Sequence, residues 1–190
     1  MLFRSLRDAG VGGLKTGLPP LREGFTPQQI DLGRYLFFDP ILSADGSISC
    51  ASCHDPGLGF SDGRAQAVGI KGQSLPRSAP SIWNVGFLST LLWDGSKTSL
   101  EEQMQGPLYS SVEMGNSPAQ LLATLSTHAT YPSLFEEAFG SSQVSLDQIY
   151  TAITAFESSL ISLNSRYDLY AHGYHAALRD RKSTRLNSSH

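Results

Sequence analysis

Apolar positions recur every three to four residues in five stretches of this chain, and each stretch opens on a polar residue able to cap a helix. Thr26-Pro27-Gln28-Gln29 is a capping box with proline at the first helical position. It predicts a helix over 27–38 carrying Ile30, Leu32, Leu36 and Phe37, stopped by Pro40. Thr98 or Ser99, with Glu101 or Glu102 three residues on, predicts a second helix that Gly106-Pro107 should end. Ser117-Pro118-Ala119-Gln120 repeats the cap before Leu121, Leu122 and Leu125. Ser133 with Glu136 predicts a short helix through Phe139, closed by Gly140. Ser145 with Gln148 opens the longest helix, on which Ile149, Ile153, Phe156, Leu160 and Leu163 form one apolar stripe expected to face the core. No strand pair and no internal repeat stand out, so the expected fold is mostly α with long ordered loops.

From Ser43 to Pro80 the text is rich in Gly, Ser and Pro. Such a stretch is hard to fold without a surface to pack on. The 190 residues, 40 % of them hydrophobic, are enough for a packed core in one domain. The net charge of −3 is mixed in sign along the chain, which argues against nucleic-acid binding. No apolar run approaches membrane-spanning length. Met1 to Leu21 lacks the apolar segment of an export signal. At the other end, Asp180 to His190 reads DRKSTRLNSSH, which matches residue for residue the translation of a common sequencing-library adapter. The expected organisation is therefore an N-terminal extension over 1–24, a domain over 25–179 and an artefactual tail over 180–190.

The candidate chemistry is concentrated in Cys50-Ala51-Ser52-Cys53-His54. C-x-x-C-H is the attachment signature of c-type haem. Two thiols one helical turn apart can form thioethers to the two vinyl groups of the porphyrin, and the adjoining histidine then lies under the iron. The cysteines are the only two in the chain. A redox-active pair would call for a strand–motif–helix context, and a zinc site for further ligands at proper spacing; neither is visible. The cofactor expected is haem c, with Cys50, Cys53 and His54 binding it and His54 ligating the metal. Haem c is normally attached outside the cytoplasm, so a periplasmic location is expected, with the export signal missing from the chain or Met1 an internal start.

The opposite face of the iron decides between chemistry and electron transfer. Met114 or Met104 could supply a sixth ligand, which would make this a monohaem electron-transfer cytochrome with His54/Met114 ligation. His128, His172 and His175 are expected to be surface or packing residues.

The wider text resembles the start of the bacterial dihaem cytochrome c peroxidases and their MauG-like relatives, from about Pro27 to about Leu178. The resemblance is carried by Leu32-Gly33-Arg34-Tyr35-Leu36-Phe37-Phe38-Asp39-Pro40, by Ser47 to Pro56 around the haem motif, and by Arg77-Ser78-Ala79-Pro80-Ser81. Leu92-Trp93-Asp94-Gly95, Leu100-Glu101-Glu102-Gln103, Gly106-Pro107, Val112-Glu113-Met114, Phe156-Glu157 and Tyr167-Asp168-Leu169-Tyr170 follow in order. It implies a cytochrome c-like domain bearing the peroxidatic haem, with a second, relay haem in a domain beyond this chain. It also implies that Glu113 is the distal acid–base, that Gln103 and Pro107 line the same pocket, and that Trp93 lies between the haems. The implied reaction is reduction of hydrogen peroxide with electrons from a small cytochrome c or cupredoxin. The MauG-like variant would oxidise a protein substrate instead. A homodimer is compatible with the resemblance.

Elementary chemistry is consistent with those roles. Peroxide heterolysis needs a proton taken from one oxygen and returned to the other, which a carboxyl group can do. An amide can donate a hydrogen bond without competing for iron. Two departures stand out. Many members carry a histidine after the motif that caps the haem at rest; here Ile70 or Lys71 is near that place, so an ungated site is expected. Ser78 replaces an asparagine that often helps hold an interdomain calcium, which argues against calcium.

Overall fold

The computed structural model describes residues 24–162 together with Arg166 and Tyr170. The chain divides into two compact units, Leu21–Ile161 and the two terminal stretches Met1–Pro20 and Ser162–His190. Leu163, His172 and His175 lie outside the described residues.

Six helices form within the larger unit: α1 (Pro27–Phe38), α2 (Cys50–Cys53), α3 (Leu100–Tyr109), α4 (Pro118–Thr127), α5 (Tyr131–Phe139) and α6 (Leu146–Ser159). Short 3₁₀ turns at Pro40–Leu42, Pro56–Leu58, Ile70–Gly72 and Val85–Phe87 punctuate the long loops. Among the described residues no strand forms; single antiparallel bridges (Asp55 with Ser61, Val68 with Ser74, Leu91 with Lys97) pin three loop hairpins. The fold is the mostly α domain with long ordered loops that the patterning predicts.

Most caps are where the sequence puts them. Thr26 Oγ1 accepts from Gln29 N at 3.2 Å while Gln29 Oε1 accepts from Thr26 N at 3.1 Å. Ser145 and Gln148 repeat that exchange, and Ser99 and Ser117 cap α3 and α4. Two boundaries differ from expectation. α3 does not end at Gly106-Pro107 but runs through Pro107 to Tyr109. Proline there withdraws one donor, from the Gln103 carbonyl, and Ser110 N closes the last turn on Gly106 O at 2.9 Å. α5 begins at Tyr131, not behind Ser133, because Pro132 in its first turn already holds a helical φ; Ser133 Oγ donates back to Thr130 O instead.

The core centres on α1 packed along α6, with α3 and α5 against the same pair. Leu32, Leu36 and Phe37 of α1 meet Ile149, Ile153 and Phe156 of α6 in one buried cluster. Gly33 sets the closeness of approach: a Cβ on it would overlap the Ala152 carbonyl oxygen. This pair of helices is the wall on which the motif helix α2 and the loop carrying His54 are mounted.

Candidate functional site

Cys50 and Cys53 occupy the first and last positions of the single turn α2, so both thiols leave from one side. Ser49 N donates to Ser52 Oγ at 3.0 Å and His54 N to Cys50 O at 2.9 Å, which fixes the turn at both ends. Both cysteines are free thiols. Burial pushes the Cys50 thiol up to about 12, and the charge of Glu157 adds to that. Burial also raises Cys53, followed by Asp62 and Glu113.

The imidazole of His54 is oriented by backbone. Its Nδ1 lies 3.1 Å from the carbonyl oxygens of both Phe60 and Pro80. Two acceptors require a hydrogen on Nδ1, which leaves the Nε2 lone pair for a metal. Burial lowers the His54 pKa, favouring the neutral ring that ligation needs. Phe60 N donates to Asp55 O at 2.7 Å, and Ser81 Oγ donates to Gly59 O at 2.6 Å, so both acceptor segments are tied together. Asp62 accepts from Ala79 N and Arg64 N, each at 3.0 Å, and holds the same two segments a second time. The sequence could not point to Phe60 and Pro80, because a carbonyl that orients a ligand carries no residue-type signature.

Gln103 and Pro107 are four apart on α3 and share one face. The chain then folds back: Glu113 N donates to Ser110 O at 3.0 Å and Met114 N to Pro107 O at 3.1 Å. Glu113 is thereby returned to the C-terminal half of the helix that bears Gln103 and Pro107. A second loop buttresses it. Ile70 N donates to Glu113 O at 2.8 Å, and a Cβ on Gly69 would overlap the Val112 carbonyl oxygen. Ile70 is buried with its Cδ1 against Gly115, and the neighbouring Lys71 is exposed. Glu113, Gln103 and Pro107 are all half-buried.

Trp93 is 91 % exposed within the Leu91–Lys97 hairpin, and Leu92 and Leu88 of the same loop are exposed as well. Met104 and Met114 are buried in the apolar core. His128 is an exposed C-cap of α4. Ser78 is exposed. Among the described residues no group of three or more His, Cys, Asp or Glu side chains is placed to hold a metal ion, and no helix is long and apolar enough to cross a membrane.

The residue that sequence reading assigned no separate role is Glu157. It is only 7 % exposed on α6, and burial together with Glu101 raises its carboxyl to about 8.

Two thiols on one helical turn beside an imidazole whose Nδ1 is held by backbone carbonyls mark a helical domain of the c-type haem class. The comparisons with known proteins specify it further. The family model for di-haem cytochrome c peroxidase matches residues 27–176, and the chain belongs to that family. It is 38 % identical over 160 residues to the methylamine utilization protein MauG of Methylorubrum extorquens, covering 84 % of this chain and 45 % of the relative. It is 39 % identical over 153 residues to the cytochrome c551 peroxidase of Pseudomonas aeruginosa, covering 80 % of this chain and 44 % of that protein. Among solved structures, a MauG-like protein associated with microbial copper homeostasis aligns with a TM-score of 0.79 at 36 % identity, over 90 % of this chain and 51 % of the other. The diheme peroxidase BthA of Burkholderia thailandensis aligns with a TM-score of 0.68 at 28 % identity, over 84 % of this chain and 44 % of the other. The chain spans about half the length of the relatives it matches.

Proposed function

We propose that this chain is the peroxide-reducing haem domain of a two-haem oxidoreductase, and that Glu113 moves the proton in its reaction. The observation that supports the reading is the return of the chain at Glu113 to the C-terminal half of α3, the helix bearing Gln103 and Pro107, with Glu113 within electrostatic reach of Cys53. The residues present fit haem c. Cys50 and Cys53 would hold it by thioether bonds, and His54 Nε2 would ligate the iron while Nδ1 stays tied to Phe60 and Pro80. When bound, that group supplies the metal at which peroxide binds and the electrons that reduce it.

The chain's own residues do the rest. The Glu113 carboxylate takes the proton from the near peroxide oxygen and returns it to the far one as the O–O bond breaks. Gln103 donates an amide hydrogen bond that orients the peroxide. Pro107, with no N–H, presents only carbon to the pocket and keeps the helix wall free of a competing donor there. The fixed Nδ1 hydrogen bonds of His54 make the imidazole a stronger, oriented donor to the metal.

The proposed setting follows from the family and from haem attachment: a periplasmic enzyme, with electrons delivered by a small cytochrome c or cupredoxin through a second haem domain. Trp93, Leu92 and Leu88, exposed on one loop, suit the surface that such a domain would cover. Oxidation of a protein substrate is a second reading, supported by the absence of histidine at Ile70 and Lys71, near the place where many members carry a capping histidine; the site would then be ungated.

The test is transient kinetics on the haem-loaded chain, reduced and mixed with hydrogen peroxide. Rapid reoxidation, with about two electron equivalents consumed per peroxide, supports the reading. A reduced protein that peroxide does not reoxidise overturns it.

A further inference from the structure

Glu157 is the buried acid that the proposed reaction does not use. Its surroundings are set by the packing of α3 on α6. The two helices run antiparallel: Tyr109 shares a hydrogen bond with Tyr150 at one end, and Glu101 faces Glu157 at the other. Between these ends Gln105 Nε2 donates to Glu101 O at 2.9 Å. A polar seam therefore crosses an otherwise apolar interface.

The seam is unbalanced. Glu101 on α3 is the ionisable group whose charge bears on Glu157, and its sign is the same. From α2, the Cys50 thiol is near enough to feel the Glu157 charge. The Val85–Phe87 turn packed on α6 brings no ionisable residue. On α1 the Arg34 guanidinium is spent on Asp31 at 2.7 Å at the surface. Thr154 Oγ1 and Ser158 Oγ, one helical turn from Glu157 and next to it, are buried and make no hydrogen bond among the described residues. Two unsatisfied hydroxyls thus lie near Glu157 on its own helix, and among the described residues no cation is seen to bear on its carboxyl.

We propose that Glu157 is a positioning residue that takes up a proton when the haem held by Cys50 and Cys53 is reduced, so that reduction and protonation are linked through the α3–α6 seam. This rests on the haem reading above. The balance is simple. One electron from the donor protein, or from a mediator in the test, reduces ferric iron to ferrous. One proton from solvent forms the O–H bond on the Glu157 carboxylate, and no other bond changes. The physical cause is charge. Reduction removes one positive charge from the cofactor beside Cys50, which weakens the field that favours the ionised acid. The sign is then fixed: the reduced form binds the proton more tightly, so reduction becomes harder as pH rises. The carboxyl's elevated affinity for protons, near 8 before that field is added, places the effect close to neutrality.

The experiment is a spectroelectrochemical titration of the haem-loaded chain at several values from about pH 6 to about pH 9. A pyridine haemochrome spectrum first establishes covalent haem. Its absence refutes the haem reading itself, an outcome distinct from any result of the titration. With haem present, the midpoint potential of the parent chain should fall as pH rises through this range. In Glu157→Gln that dependence should be lost while the absorption spectrum is unchanged. In Glu101→Gln it should persist but move to lower pH, since the like charge is gone. A Glu157→Gln chain that keeps the parent pH dependence assigns the linkage to another group, such as the haem propionates or Glu113, and overturns the proposal. So does a parent chain with a flat profile, and so does a Glu101→Gln profile that coincides with the parent.

Discussion

The Nδ1 of His54 and the carbonyl oxygen of Pro80 lie 3.1 Å apart, although 26 residues of loop separate them. The haem motif is thus oriented from outside itself. Ser81 stitches the acceptor segments by donating to Gly59 O at 2.6 Å. Replacing Ser81 with Ala should lower stability by about 1 kcal/mol, the usual net worth of such a bond. Chemical denaturation of the haem-loaded chain measures it, and an unchanged midpoint would show that Asp62 alone holds the two segments.

His54 itself should be replaceable from solution. His54→Gly keeps both thioether-forming thiols and removes the imidazole below the iron. Its Soret band should shift from that of the parent, and added imidazole should restore it. A spectrum unaltered by the substitution would remove His54 from the ligand set.

Glu113→Gln keeps size and polarity and removes the proton acceptor. The rate of peroxide-driven reoxidation should drop by about 10²–10⁴-fold, with little change in the resting spectrum. Stopped-flow mixing reports it. A rate within a factor of about three of the parent would transfer the proton to another group.

Gly33 and Gly69 make two different close approaches, and alanine should expose the difference. At Gly33 the new methyl would meet the Ala152 carbonyl oxygen and Phe156 Cβ, forcing α1 from α6. The expected cost is about 1–3 kcal/mol in thermal or denaturant unfolding. At Gly69 it would meet the Val112 carbonyl oxygen and Glu113 Cα. That substitution should displace the Glu113 loop and slow the peroxide reaction more than it lowers stability.

Glu157 also makes stability depend on pH. Its folded-state proton affinity, near 8, lies above that of an unfolded glutamate, so the folded chain binds more protons across the interval between them. This contribution is fully present below the unfolded value near 4 and is lost as pH rises through about 8. Glu157→Gln should therefore stabilise the chain more at pH about 9 than at pH about 5. Thermal melts at both values decide it, and equal shifts would place the acid in water.

What the sequence disclosed depended on where the signal was kept. Thr26, Ser99, Ser117 and Ser145 announce their helices because a cap is a local event between near neighbours. The two thiols and His54 announce the haem by their own spacing. Pro107 misled because proline usually ends a helix, whereas here the turn at Ser110 to Gly115 takes over the backbone bonds. Ser133 misled because Pro132, one residue earlier, had already started α5. Glu157 sits beside Phe156 at the edge of an apolar stripe, and only the lie of α3 across α6 shows that it is enclosed. Resemblance linked Gln103, Pro107 and Glu113. The fold adds a return of chain after α3, at Ser110 to Gly115, that no periodicity encodes.

The central claim is a c-type haem fixed by Cys50 and Cys53, ligated by His54, with its other face open to peroxide. The electronic absorption spectrum of the ferric, haem-loaded chain tests it most directly. The account predicts covalent haem with a high-spin spectrum that Met114→Ala leaves essentially unchanged. A fully low-spin spectrum that Met114→Ala converts to high spin would contradict it and make the chain an electron carrier.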